Sequence, residues 1–371
     1  MVFFCSAFLS SAHIIHPMDT NSLYFSFGRP FSPIYSSMML LRERCYRKGI
    51  FSTYRPSVPV ISIGNLTLGG TGKTPMVEHV AQLLQKSGLQ PAIVSRGYGG
   101  RSKEAVNLVS DGKNIELDAL TAGDEPRLLA EKLPGVFVLT GAVRKLPIQR
   151  AVEMGAGVIV LDDGFQHLAV QRDLNIVLFN SDFLAGNSRV FPGGHLREPV
   201  SSLKRADTFV LTDVREDNRE RAKMFADLLS RRFPGKPTCF SRYSAVGMVN
   251  AQNGEPIDFK SLTDVRSLGI AGIARPSAFA SSLASAGITI SGLLSFPDHV
   301  AYNTGKINQI EKALQHNQAQ LVITTEKDAV KLRDAELSVP VYSLRMSAQP
   351  DEGFDTLILD SIKRRMDQKE G

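Results

Sequence analysis

The sequence predicts an α/β protein: a doubly wound, mainly parallel sheet as the larger core, a second and smaller α/β domain, and an amphipathic helix near the N-terminus. Three observations carry that expectation. From residue 58 onward the runs VPVISI, PAIVS, VFVLT, GVIVLDD, NIVLFN and TFVLTD alternate with helical stretches. Their β-branched, unbroken apolarity suits strands covered on both faces. After the stretch RRFPGKPT, which reads as a linker around Pro234 and Pro237, a second series begins: SLGIAGI, ISGLLSF, AQLVITT and VPVYSL. Finally, the Gly-rich turn IGNLTLGGTGKTP at 63–75 joins the first apolar run to a helical pattern that starts near Pro75. The expected organisation is an N-terminal extension (1–32), a helix and linker (33–57), the larger core (58–236) and the smaller domain (237–371).

The chain has 371 residues, enough for two domains with their own cores. Hydrophobic content of 43% and charged content of 22% read as globular. A net charge of +6 with pI near 9.2 fits an anionic partner without choosing among nucleotide, anionic lipid and nucleic acid. Cys5, Cys45 and Cys239 lie far apart with no C-x-x-C pair, which supports neither a disulfide framework nor a zinc site and points to a reducing cytoplasm. Residues 1–17 are apolar but lack the basic start of a secretory signal and are too short to span a bilayer. Met18 is an alternative start that would make them an artefact. Disorder and a weak membrane contact are the other readings.

At 33–49 the pattern is helical. Ile34, Met38, Leu41 and Cys45 recur on one face with Tyr35 and Met39 beside them, and Arg42, Arg44, Arg47 and Lys48 crowd the last turns. Pro33 suits the start and Gly49 the end. Two readings stand: a helix packed on the core whose cations answer its dipole, or an interfacial helix with its apolar face in lipid and its arginines on anionic headgroups.

The turn at 63–75 carries the parts of a P-loop, which makes the larger core a P-loop NTPase sheet. Gly69, Gly70 and Gly72 let backbone N–H groups curl around phosphate oxygens. Lys73 reaches the terminal phosphates and the Thr74 hydroxyl is placed to ligate Mg²⁺. The nucleotide-binding stretch is Thr67, Leu68, Gly69, Gly70, Thr71, Gly72, Lys73 and Thr74. Thr67 stands where the motif usually has glycine. A turn that merely closes a strand–helix unit has no packing need for Gly-Lys-Thr.

GVIVLDDGFQH ends a buried strand on Asp162 and Asp163, the Walker-B arrangement that delivers a carboxylate to Mg²⁺. On an extended chain the two carboxylates point to opposite sides, one towards metal and the other towards a water or a base. SRGYGGR follows the second strand, so Arg96 and Arg101 reach towards substrate phosphate. AGDEP sets Asp124 and Glu125 at a turn before a helix, where the plain alternative is a capping turn with acidic first-turn residues. FPGGHLREP, with His195, Arg197 and Glu198, reads as a substrate loop. SFPDHVAY offers Asp298 and His299 at a strand end, where a lone histidine is more often structural.

Together these segments resemble the tetraacyldisaccharide 4'-kinase family, the lipid A 4'-kinases of Gram-negative bacteria. The resemblance covers about residues 33–332 and rests on STYRPSVPVISIGNLTLGGTGKTP, SRGYGG, GDEP, LDDGFQH, FPGGHLREP, FPDH and TTEKD. The family's loops are like GNLTxGGTGKTP, so Thr67 does not count against it. The resemblance implies transfer of the ATP γ-phosphoryl group to the 4'-hydroxyl of a tetraacylated glucosamine disaccharide 1-phosphate at the cytoplasmic face of the inner membrane. It also implies that the basic N-terminal helix contacts that anionic surface. Carried over by motif, Lys73 and Thr74 serve phosphate and Mg²⁺, Asp162 and Asp163 the metal side, and Asp124 is the base with His299 as its partner. Arg96, Glu125, Arg144, His167 and Glu198 fall in segments assigned to phosphate or substrate. The protein is expected to act as a monomer with ATP, Mg²⁺ and the lipid A disaccharide precursor, and without nucleic acid.

Two other classes fit the sequence less well. A partitioning-type switch ATPase has a signature lysine just before Gly-Gly, where this chain has Leu68. A nucleic-acid-binding ATPase would account for the basic pI, but the aromatic and basic interleaving of a stacking platform is missing. GTP is disfavoured because no N-K-x-D segment occurs and TEKD has the wrong spacing.

Overall fold

The computed structural model describes residues 20–370 apart from 299 and 334. Among these the chain forms strands β1 (Val60–Asn65), β2 (Pro91–Ser95), β3 (Asn107–Asp111), β4 (Phe137–Thr140), β5 (Val158–Asp162), β6 (Leu174–Asn180), β7 (Thr208–Thr212), β8 (Thr238–Asn250), β9 (Pro256–Ile257), β10 (Ser267–Ala271), β11 (Ile290–Ser295), β12 (Leu321–Thr325) and β13 (Val341–Pro350). The helices are α1 (Thr20–Gly28), α2 (Ser32–Arg47), α3 (Lys73–Lys86), α4 (Ala119–Ala122), α5 (Asp124–Lys132), α6 (Lys145–Glu153), α7 (Arg219–Arg232), α8 (Pro276–Ser285), α9 (Thr304–Asn317), α10 (Glu326–Leu332) and α11 (Glu352–Glu370).

All thirteen strands belong to one mixed sheet, in the order β11-β10-β12-β13-β8-β7-β6-β1-β5-β2-β4-β3, with β9 paired to β8. The expected apolar runs are its strands. Those around β1 are buried along their whole length, because helices cover both faces of the sheet. Pairing is parallel from β4 through β7 and from β11 through β13.

The two halves are joined by a shared strand. The first residues of β8 pair in parallel with β7, and from Ser241 to Asn250 the same strand pairs antiparallel with β13. The register shifts between Arg345 and Met346, opposite Val246. The last helix also crosses the expected 236/237 division. Phe354, Ile358 and Ile362 of α11, one turn apart, bury into the core that holds Met76, Val77 and Val80 of α3. His79 of α3 meets Asp355 at 2.7 Å.

No residue of α2 is buried. One face is anchored by polar contacts to Gln166 and to the stretch 190–205. Ser32 Oγ donates to Val190 O at 2.7 Å, Tyr35 OH donates to Arg197 O at 3.1 Å, and Arg42 donates to Gln166 O at 3.1 Å. Glu43 accepts from Arg205 at 2.7 Å. The other face carries Ile34, Met38 and Leu41, each about 60% exposed. Phe27 and Phe31 continue that stripe towards the N-terminus at 76% and 60% exposure. The apolar face is thus the one turned away from the protein. Among the described residues no helix is long and apolar enough to cross a membrane.

Candidate active site

The carboxyl ends of both sets of parallel strands open on one cleft, the usual place for a ligand in an open α/β sheet. From the first half come the Gly-rich loop after β1, Asp162 at the end of β5, Arg96 after β2, and Asp182 and Asp213 after β6 and β7. From the second half come Arg275 after β10 and helix α10 after β12. Ion pairs close the cleft at both flanks. Arg275 reaches Asp182 at 2.8 Å and Asp213 at 3.2 Å. Along the other flank α10 faces α5: Lys327 lies 3.5 Å from Glu125, Lys331 3.4 Å from Asp124, and Glu326 2.7 Å from Lys132, while Arg333 just beyond α10 lies 2.7 Å from Glu131.

The Gly-rich loop is held by its carbonyls. Asn65 Nδ2 donates to Thr67 O at 2.7 Å, Thr212 Oγ to Thr71 O at 2.8 Å, and Tyr243 OH to Gly72 O at 2.8 Å. Leu68 N–H donates to His195 O at 2.7 Å, and Thr67 bridges Leu196. Holding these oxygens outward leaves the exposed Gly69 and Gly70 at the free rim of the loop. Gly72 sits at φ 72 in the left-handed region that glycine enters without strain. Lys73 opens α3, with Nζ 3.3 Å from Asn65 Oδ1 and 3.7 Å from Asp163. Thr74 follows in the first turn, half-buried.

Asp162 is 3% exposed, and its Oδ1 has no hydrogen-bond partner. Burial above all, then the nearby charge of Glu125, pushes its carboxyl up to about 7 against the pull of Lys73 and Arg144. Asp163 does not continue the strand: its φ of 53 turns it away from the alternation expected of an extended pair. Burial works against its charge, but Lys73 and Arg197 outweigh that and hold its pKa below the ordinary value. Two carboxylates, one with an unpartnered oxygen, suit a hard cation such as Mg²⁺, which takes one or two protein carboxylates and completes its shell with water and phosphate. Among the described residues there is no cluster of three or more His, Cys, Asp or Glu side chains that could hold a metal without such help.

Beside Asp163 lies a cavity of about 500 Å³ lined by Arg42, Arg96, Arg144 and Arg197, with Tyr35, Met39 and His167. Arg144 is 4% exposed, and burial lowers its pKa to about 10. His167 is held neutral: burial, followed by the charges of Arg144, Arg172, Arg42 and Arg96, depresses it to about 4. Its Nε2 is buried without a partner. Glu198 also borders the cavity, but it is 2% exposed and its carboxylate is taken by Arg205, which in turn grips Glu43 of α2.

The cleft therefore brings together Lys73, Asp162, Asp163, Arg96, Arg144 and His167, with Asp124 and Glu125 on α5 at its edge. His299 lies outside the described residues. Several contributors were not expected. Arg197 is expected in a substrate loop but not as the partner of Asp163, and Lys327 and Lys331 carry no expected role. The segment TTEKD is a helix start, with Thr325 capping Asp328 N–H, so lysines one turn apart on α10 were a readable signal. Thr212 and Tyr243 act on the loop across 141 and 171 residues and leave no local signature.

A family model described as tetraacyldisaccharide-1-P 4'-kinase matches residues 25–363. The chain is similar to the tetraacyldisaccharide 4'-kinase of Desulfotalea psychrophila, 44% identical over 92% of this chain and 98% of the relative. It is also similar to that of Syntrophus aciditrophicus, 39% identical over 90% and 92%. Among solved structures it resembles the "apo" form LpxK from Aquifex aeolicus in complex with ATP. The TM-score is 0.74 and the identity 32%, covering 92% of this chain and 99% of that one.

Proposed function

This chain belongs to the tetraacyldisaccharide-1-P 4'-kinase family, and from that membership we propose that its cleft transfers the γ-phosphoryl group of ATP to the 4'-hydroxyl of a tetraacylated glucosamine disaccharide 1-phosphate. The protein is a kinase of lipid A biosynthesis, and the partitioning and nucleic-acid readings fall away. The larger half is a P-loop NTPase core, with residues up to about 236 and the returning α11 as one unit and the strands beyond β8 as the smaller one.

The observation that carries the site reading is the approach of Lys73 to Asp163, which itself lines a cavity with four arginines. In this reading loop N–H groups and Lys73 neutralise the β- and γ-phosphates, while Thr74, Asp162 and Asp163 hold Mg²⁺. Held there, the ion would supply positive charge against the negative charge that builds during phosphoryl transfer. Asp124 takes the proton of the 4'-hydroxyl as its oxygen bonds to phosphorus and the bond to ADP breaks, and His299 is its partner. Arg42, Arg96 and Arg144 recognise substrate phosphate, and neutral His167 offers a hydrogen bond beside them. The exposed apolar stripe of α2 and its basic end seat the protein, as a monomer, on the anionic cytoplasmic face of the inner membrane.

The test is whether the purified protein moves radiolabel from γ-labelled ATP to a lipid A disaccharide precursor in detergent micelles. Lys73→Ala should retain a normal fold and lose about a hundredfold in kcat, the cost of one transition-state charge contact. Absence of label on the lipid would sink the substrate reading. A folded variant keeping more than about a tenth of kcat would sink the role of the loop.

A further inference from the structure

We propose that Lys331, which reaches the cleft from the second half of the molecule, is a positioning residue for Asp124; the inference rests on the reading of Asp124 as the base. A carboxylate beside a bound triphosphate, and next in sequence to the acidic Glu125, is repelled by those charges. A fixed cation at hand favours its charged form and holds it in place. The ammonium of Lys331 stands 3.4 Å from Asp124 Oδ2.

Lysine is normally a mobile point charge, and an exposed pair of this kind does little. Here it is pinned. Lys331 Nζ donates to Val300 O at 3.1 Å, pairs with Asp328 Oδ1 at 3.2 Å and lies 5.5 Å from the centre of the Tyr302 ring. Val300 O takes a hydrogen bond from the ammonium, and the carboxylates of Asp328 and Asp124 stand at ion-pair distance on its other sides. The side chain is 11% exposed and that of Asp124 14%.

Asp328 is fixed in turn. It is wholly buried, and its Oδ2 accepts from Gly272 N–H and from Thr325 Oγ, both at 2.8 Å. Gly272 has no room for a side chain: a Cβ there would come within 2.7 Å of Asp328 Oδ1. A chain of contacts thus runs from the backbone after β10 through Asp328 and Lys331 to Asp124, so Lys331 reaches the base only while α10 stands against α5. Docking of the two helices does not need Lys331. Arg333 with Glu131 and Lys132 with Glu326 already supply close pairs at 2.7 Å.

The experiment compares Lys331→Met, Lys331→Arg, Asp124→Ala, Asp124→Ala/Lys331→Met and Lys331→Met/Asp328→Asn in the full chain. Each is measured for kcat, the KM for ATP and Tm with the lipid precursor in micelles. The last variant guards against misfolding, because it removes the wholly buried charge of Asp328 together with its partner. Lys331→Met and Lys331→Met/Asp328→Asn should both lose about tenfold or more in kcat, part of what a positioned general base supplies. Their KM for ATP should stay within about twofold. Lys331→Arg should restore most of the loss, and Asp124→Ala/Lys331→Met should be no slower than Asp124→Ala. A folded Lys331→Met/Asp328→Asn with normal kcat beside an impaired Asp124→Ala overturns the proposal, and so do multiplicative losses in Asp124→Ala/Lys331→Met. If Asp124→Ala itself keeps kcat, the reading of Asp124 as base fails and takes the proposal with it.

Discussion

Arg197 grips Asp163 through a single guanidinium nitrogen that donates to both carboxylate oxygens, at 3.0 and 2.8 Å. The grip holds Asp163 at φ 53, a backbone state that costs a non-glycine residue about 1–2 kcal/mol. The backbone of Arg197 is tied on both sides, its N–H to Leu66 O at 2.8 Å and its carbonyl to Tyr35 OH at 3.1 Å. One residue therefore links the Gly-rich loop, the acidic pair and α2. Arg197→Ala should lower kcat by about 10- to 100-fold, the equivalent of a charge-assisted hydrogen bond of about 1.5–3 kcal/mol. It should also raise the Mg²⁺ concentration at half-activity, because Asp163 is no longer held in place. Arg197→Lys should recover part of this, since one nitrogen makes the contact. A Mg²⁺ titration of both variants checks it, and an unchanged midpoint in Arg197→Ala counts against the role of Asp163.

Two glycines of the same loop should fail differently. A Cβ on Gly72 would fall 1.6 Å from the Tyr243 hydroxyl at a φ of 72, whereas a Cβ on Gly70 meets nothing within 4 Å. Gly72→Ala should therefore destabilise the protein itself by about 2–4 kcal/mol, the sum of a left-handed alanine and an overpacked contact. Gly70→Ala should fold normally and lose affinity for ATP, because its methyl enters the space a phosphate needs. Thermal unfolding without ligand, followed by nucleotide titration, separates the two. A Gly70→Ala protein with unchanged ATP affinity would mean that phosphate does not approach this rim.

What could be read from the sequence was what local pattern encodes. Strands such as VISIGN and LNIVLFN announce themselves because unbroken apolar runs have one comfortable home, the middle of a covered sheet. Gly-Lys-Thr after such a run marks the loop. The helix at 33–49 was legible too, but not its orientation. Ile34, Met38 and Leu41 face outward, because Ser32, Tyr35, Arg42 and Glu43 find polar partners on the other side. The turn at Asp163 was missed because an Asp-Asp pair ending a strand suggests alternation, and the Arg197 contact that offsets its strain comes from 34 residues away. The return of α11 to the first core and the bond from Tyr243 to Gly72 escaped for the same reason. Long-range contacts have no period.

His167 makes the protein sensitive to acid in a defined window. Its pKa falls from 6.5 to about 4 on folding, through burial first and then the surrounding arginines. Below pH 6.5 the unfolded chain takes up a proton that the folded one refuses. Its contribution is therefore fully present above about pH 6.5 and is lost progressively as pH falls towards 4. His167→Gln should flatten the decline of Tm across that window, and NMR titration of the wild-type imidazole should show it neutral at pH 6. An imidazole that titrates near 6.5 would mean that the arginines are screened by solvent.

The apolar stripe of α2 should decide membrane attachment without touching the chemistry, because the two faces of the helix do different jobs. Ile34, Met38 and Leu41 are exposed, while Tyr35, Met39 and Arg42 line the cavity. Deleting the whole helix would strip the cavity wall and confuse the two. Replacing the three exposed residues with serine leaves the wall in place and removes about 1 kcal/mol or more of interfacial burial at each, so binding to anionic vesicles should fall by about a hundredfold. Binding by the wild-type protein should also weaken with salt, since the exposed Arg44, Arg47 and Lys48 at the end of the helix act through screened charge. Affinity for ATP should not change, because the three side chains lie on the face of α2 turned away from the cleft. Cosedimentation of the triple variant at wild-type levels would place the membrane contact on another surface.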